Sequence, residues 1–323
     1  MKKNLKNKVV KYVMLQMLIF TFISCTKFSL HEVKAGLIYE HNYPQNIVTK
    51  GVTYEKKTRI TDKGLVNIHI ITADISNKNI KVGPIQSNTY GSRSTTSALV
   101  NNNGALAGIN ADYFDMSMTP VTSMGMVVDE SKIVSLSEGE KGYASFLIDS
   151  DNNPFIDYVY PKISFTNNGQ ENIRVRAMNK YQRNFSAVYF DRQAITSTKD
   201  LDAKFPDLVK FVVKDGVIDY ISKGGETVEV PENGYIILVA ATYAQYFYDS
   251  VKVGDKADIH INTSFDFSAI KTAIGGAGKI LENGKYVNSG YVVSPGKRQP
   301  RSAVGISKDG KKIYLVAIDG RGI

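Results

Sequence analysis

The sequence predicts an α+β fold built on a large mixed β-sheet with few helices. Strand-like runs recur along the chain and far outnumber helical ones. Their spacing lacks the strand–helix alternation of a doubly wound sheet. At 323 residues and 43% hydrophobic content, the chain is long enough to bury a sizeable core in one large domain or two.

Residues 1–25 read as an export signal. Lys2, Lys3, Lys6, Lys8 and Lys11 form a positive segment, and Tyr12–Ser24 is apolar but short for the roughly 20 residues of a spanning helix. Three outcomes fit. Phe22-Ile23-Ser24-Cys25 resembles a lipoprotein box that would lipidate Cys25, Val33-Lys34-Ala35 fits ordinary signal cleavage, and an uncleaved anchor is the third. All three place the body of the protein outside the cytoplasmic membrane, secreted or lipid-anchored at the cell surface.

Residues 26–50 read as a linker, since 36–50 carry no periodicity. From Gly51 strands are expected, with one domain over 51–323. Gly64–Ile75 alternates apolar and polar residues as a half-buried strand does, and Lys81–Ile85 reads as a shorter one. Thr95–Asn102 fits a short helix opened by Ser94 or Thr95. Gly104–Asp115 (GALAGINADYFD) reads as a buried strand of small residues ending in a turn that carries Asn110, Asp112 and Asp115. The same residues fit an ordinary turn, because Asn and Asp favour turns.

Gly125–Leu136 reads as a hairpin turning at Glu130-Ser131, followed by a strand at Tyr143–Ile148. Residues 149–170 are turn-rich and mark the best internal boundary. Strands follow at Ile173–Met178, Ala187–Tyr189, Val209–Val213, Val217–Ile221 and Tyr235–Ala241, with an Asp215-Gly216 hairpin signal. Ala244–Tyr248 fits a short helix, and Lys256–Thr263 a strand. Ile274–Leu281 is glycine-rich. Arg301–Ser307 and the apolar Lys312–Ile318 read as strands, the latter central in its sheet.

Composition excludes several classes. Residues 1–34 carry seven Lys and one Glu, so +6 of the formal +9 sits there and only +3 remains for the body. That is no electrostatic footprint for nucleic acid. One cysteine excludes an internal disulfide framework. His31, His41, His69 and His260 show no metal-ligand spacing, and the two in strand-like runs, His69 and His260, read as satisfied or solvent-facing.

INADYFD at 109–115, IGGAGKILENGK at 274–285 and RSAVGISKDGKKIYLVAIDGR at 301–321 together resemble the phosphodiester glycosidase family. That family includes the uncovering enzyme of lysosomal glycoproteins and bacterial exopolysaccharide-associated relatives. The likeness covers roughly residues 51–323. Ala111-Asp112 stand where the family has glycines, and where it has Gly-Gly-Pro the paired glycines here are followed by Ala277-Gly278-Lys279. The family continues past Asp-Gly-Arg into a helix and an Asp-Gly-Gly-Gly-Ser turn, so the chain reads as truncated at its C-terminus.

The resemblance implies cleavage of a sugar from a phosphodiester. The leaving group is then already a good anion, unlike that of an ordinary glycosidase with its paired carboxylates. What remains is a carboxylate at the sugar carbon and donors for the phosphate. Asp112, Asp115 and Asp319 are the candidate carboxylates, and Asn110 would orient the sugar. Asp112 and Asp115 would alternatively hold a divalent cation through oxygen ligands. Arg301, Arg321 and the backbone at Gly275 and Gly276 would take the phosphate. Lys279 is a weaker candidate, and no general acid can be named.

Each candidate also has an ordinary structural reading: a surface ion pair, a turn, a hairpin corner. Three functions follow: an exported hydrolase acting on sugar-1-phosphodiester bonds in surface or wall polysaccharide, a non-catalytic module binding anionic glycans, or a structural domain of a surface protein.

Overall fold

The computed structural model describes residues 36–320 apart from 88–90, 115–120, 140–141, 181–185, 249, 288–291, 293 and 295. The expected signal with Cys25, and the candidates Asp115 and Arg321, lie outside the described residues. Among those described, no helix is long and apolar enough to cross a membrane.

The α+β expectation holds: among the described residues β-sheets dominate, and three short α-helices span Thr96–Asn102, Lys199–Lys204 and Ala241–Tyr248. Ten strands form one large sheet, in the order 217–221, 209–214, 234–239, 187–191, 177–178, 132–137, 127–129, 270–275, 145–149 and 154–157. It is mixed, because Ala177–Met178 runs parallel to Ala187–Asp191 while the other pairings are antiparallel.

Burial on both faces explains the apolar strands at its centre. Along Gly234–Val239, Ile237 and Val239 enter one core and Ile236 and Leu238 another. The first core is closed by a three-stranded sheet of Gln170–Val175, Lys162–Asn167 and Ala257–Asn262, which contributes Phe165 and Val175. The second is closed by the helix Lys199–Lys204 through Leu201.

On that second face Lys210 and Asp202 form a buried ion pair at 2.5 Å, and the Thr198 hydroxyl donates to the same carboxylate at 2.5 Å. The helix went unnoticed in the sequence because six residues hold too little periodicity to read.

A second, six-stranded sheet places Lys312–Ile318 between Gly64–Asp74 and Arg301–Ile306, so that strand is central as its composition predicts. Ile313, Leu315, Val304 and Ile306 pack it against Phe146 and Ile148 at one end of the large sheet.

Several expectations are corrected. Residues 36–50 are not irregular: Leu37–Asn42 and Asn46–Thr49 both pair with Val52–Thr61 at the sheet edge. Their apolar side chains stand exposed, Ile47 at 78%, so no buried alternation betrays them. Lys81–Ile85 is not a strand, and Pro84 within it has no N–H to give a ladder. Residues 149–170 are no boundary. Asn152 and the Asn168-Gly169 pair adopt positive φ inside hairpin turns, and the strands they join are built into two sheets.

Gly104–Ile109 is not a strand either. Gly104 (φ +61) ends the preceding helix in a Schellman motif: its N–H donates to Asn101 and that of Ala105 to Val100, at 3.2 and 3.0 Å. Gly108 then folds against the helix so closely that a Cβ there would lie 2.9 Å from Val100. Leu106, expected in the core, is 58% exposed.

Candidate functional site

The short helix begins as its sequence requires, with the Thr95 hydroxyl accepting the Ala98 N–H at 3.2 Å. Its first residue, Thr96, donates from its side chain to Asn110 Oδ1 at 2.7 Å, which fixes the loop that follows. That loop delivers Asp112 in the left-handed region at φ +56. The Met124 N–H donates to the Tyr113 carbonyl at 2.7 Å, and Phe114 bridges Ser123, so residues 113–114 lie along 123–124.

Asp112 is the best-held acid of the region. Oδ1 accepts the Tyr113 N–H at 2.7 Å and Oδ2 accepts the Gly125 N–H at 2.8 Å. Burial pushes its carboxyl above the ordinary aspartate value, opposed by the Tyr113 N–H, the charge of Lys180 and the Gly125 N–H.

Two glycines make room for it. A Cβ on Gly275 would lie 2.8 Å from the Gly125 Cα and 2.9 Å from the Asp112 carboxylate, and one on Gly125 would meet Gly275 at 2.8 Å. The N–H of Gly275 donates to the Met126 carbonyl at 2.9 Å. Glycine at 275 thus serves close packing of backbone on carboxylate, and its amide belongs to the sheet.

Asn110, Asp112, Gly275, Gly276 and Arg301 all line one cleft of about 2070 Å³ between the two large sheets. Asn110 is exposed at its edge, and Gly276 passes the Ala144 carbonyl. The Arg301 guanidinium is half-buried and anchored through Nη2 to the Ser294 carbonyl at 3.1 Å and to Lys297 at 3.4 Å. Lys279 also reaches the cleft, with its ammonium 3.1 Å from Asp157 and 3.4 Å from Glu282.

Asp319 does not join this group. Its two oxygens accept the N–H and the side-chain amide of Asn67 at 2.5 and 2.7 Å, locking the registry of Lys312–Ile318 on Gly64–Asp74.

Lys180 is the residue that sequence reasoning missed. It is fully buried and donates to the carbonyls of Ser123, Met124 and Gly125. Lysine is normally exposed, and MNKYQRN offers no pattern that marks this one as internal.

A divalent cation does not fit the described residues. Both Asp112 oxygens already take backbone donors, the charge acting on it is an ammonium, and no cluster of three metal-ligating side chains occurs among the described residues. His69 accepts or donates at Nδ1 to the Tyr54 hydroxyl at 2.8 Å, and His260 is exposed, so both are the ordinary strand histidines expected.

Residues 207–323 match the phosphodiester glycosidase family, a stretch that contains Gly275, Gly276 and Arg301 but not Asp112. No curated protein matches the chain. Among solved structures, a hypothetical protein from Synechocystis is similar, with a TM-score of 0.71 at 16% identity over 87% of this chain. The chain spans about half, 54%, of that protein. A Burkholderia pseudomallei protein provisionally titled as exported superposes with a TM-score of 0.67 at 14% identity, over 88% of this chain and 85% of its own. At such identities the likeness is one of fold.

Proposed function

We propose, from the family match over residues 207–323, that the protein is an exported glycosidase that hydrolyses sugar-1-phosphodiester bonds in surface or wall polysaccharide. The observation that carries this reading is the opening of one cleft onto both Asp112 and Arg301. A carboxylate held by two backbone N–H groups has its oxygens fixed in place. It can stabilise positive charge at the sugar carbon, or receive the proton of an attacking water, without reorganising. A guanidinium suits the phosphate through its planar fork of donors. The leaving phosphate ester departs as an anion, so the chemistry does not call for a second acid.

Export is supported by the positive and apolar N-terminal sequence and accords with the name of the Burkholderia fold relative. If the protein is lipid-anchored, Cys25 is the residue that carries the lipid.

The test is release of free sugar from a panel of sugar-1-phosphodiesters, followed across pH. Turnover needs Asp112 ionised, so the rate is expected to fall as pH drops through its pKa. Burial places that acid limb above the ordinary aspartate value. An acid limb at or below that value removes Asp112 from the reaction. Tight binding of sugar phosphates with no turnover on any member establishes instead a module that binds anionic glycans.

A further inference from the structure

A lysine ammonium buried away from water costs several kcal/mol unless its donors are met. Lys180 Nζ has three donors, and it lies 3.2, 2.8 and 2.6 Å from the carbonyls of Ser123, Met124 and Gly125. Successive carbonyls of an extended chain point to opposite sides. Three that converge on one nitrogen therefore require a curled backbone, and residues 124–125 form a bend just before the strand Val127–Asp129.

That curl has a definite product. The Met124 carbonyl and the Gly125 N–H belong to one peptide unit. Its oxygen faces the ammonium at 2.8 Å, and its N–H faces Asp112 Oδ2 at 2.8 Å. A cation on the carbonyl polarises the amide and strengthens the hydrogen bond that its N–H donates.

The lysine is itself fixed from behind. Asn179, at φ +55, donates its backbone N–H to the Tyr189 carbonyl at 2.7 Å and exchanges side-chain hydrogen bonds with Asp191 at 3.1 and 3.0 Å.

We infer that Lys180 is a positioning residue: through the Met124–Gly125 peptide it aims the Asp112 carboxylate into the cleft and keeps it charged. This rests on reading Asp112 as the reacting carboxylate. Among the described residues, Lys180 behind it is the charged group that acts on Asp112, and Tyr113 is the titratable side chain next to it in the chain. Lys180 touches no part of the cleft's contents, so its effect should fall on the reaction step and not on substrate affinity.

The experiment has two arms on the full chain. In the first, Lys180→Met is expected to lower kcat about 10–100-fold, the size of loss seen when the outer partners of metal-ligating side chains are removed, with KM changed less than about threefold. Folded Lys180→Met protein with wild-type kcat, or with its loss entirely in KM, overturns the proposal.

The second arm needs no variant. In ¹⁵N-labelled wild-type protein, the Gly125 amide and the Lys180 ammonium are expected to shift with pH at one shared midpoint, that of the Asp112 carboxyl. Flat signals from either group while Asp112 titrates overturn it, even if Lys180→Met does not fold. Failure of every phosphodiester as a substrate would instead sink the functional reading, and the titration would still decide the role of Lys180.

Discussion

Asp112→Asn is expected to lower turnover of a sugar-1-phosphodiester by about 10²–10⁴-fold, the range over which positioned acid–base groups act. The substitution keeps the shape and removes the charge. It also exchanges one acceptor for a donor, so the new amide nitrogen must face either the Tyr113 or the Gly125 N–H, both of which now donate to the carboxylate. That mismatch costs roughly 1–3 kcal/mol, set against relief from holding a half-buried negative charge. A domain with a typical stability of about 5–15 kcal/mol survives it. Steady-state rates beside a urea melt separate the two effects. An active, folded variant would mean that the carboxylate is structural and the reacting group lies elsewhere in the cleft.

Lys210→Met is expected to cost about 3–5 kcal/mol of stability, the penalty for leaving one buried charge without its partner. Lys210 is fully buried, and its ammonium sits 2.5 Å from Asp202, which the helix Lys199–Lys204 carries on its nearly enclosed side. Without the ammonium, the carboxylate keeps the Thr198 hydroxyl as a donor but has no compensating charge. The double variant Lys210→Met with Asp202→Leu should recover most of the loss, because an apolar pair of similar volume suits the surrounding Leu201, Val212 and Ile236. Urea denaturation of the two single variants and the double completes the cycle. A cost under about 1 kcal/mol for Lys210→Met would show that the pair contributes little to holding the helix on the sheet. Both residues lie outside the cleft lining, so activity per folded molecule should not change.

Local chemistry was legible where the chain itself decides the outcome. Glu130-Ser131 and Asp215-Gly216 adopt the paired positive φ angles of tight hairpins, as their sequences suggest, and Thr95 caps its helix. Legibility failed where distant partners decide. Ala105, Leu106, Ala107 and Ile109 have strand-like composition, but Gly104 was already committed to stopping a helix, which turned the run into a loop. Leu37–Asn42 pairs along one edge only and buries little, so hydrophobic pattern could not reveal it.

The candidate site divides in the same way. Asn110, Asp112, Gly276 and Arg301 were readable as polar or flexible residues at element ends, and the fold brings them to one cleft. Gly275 was readable as special, but its reason, the approach of Gly125 and the Asp112 carboxylate, is tertiary. Lys180 and its three carbonyls were invisible, because a lysine gives no sequence sign of being buried.

The six-stranded sheet joins the two ends of the described chain, with Asn67 bonded to Asp319 across 252 residues. Val52–Thr61 and Gly64–Asp74 can pair as soon as they exist, being joined by a short turn. The other edge of Gly64–Asp74 has to wait for Lys312–Ile318. That wait lasts until the intervening residues 75–311 have been delivered and have begun to fold. Throughout it the run GLVNIHIITAD presents an open, β-prone edge of the kind that recruits other chains. Such long-range pairing is also slow, so pulse-labelled hydrogen exchange during refolding should find the amides of Lys312–Ile318 protected after those of the hairpin Val209–Ile221. The yield of active protein would then be set by how well a cell shields one unfinished edge, and the cleft beside it would be among the last parts of the molecule to take shape.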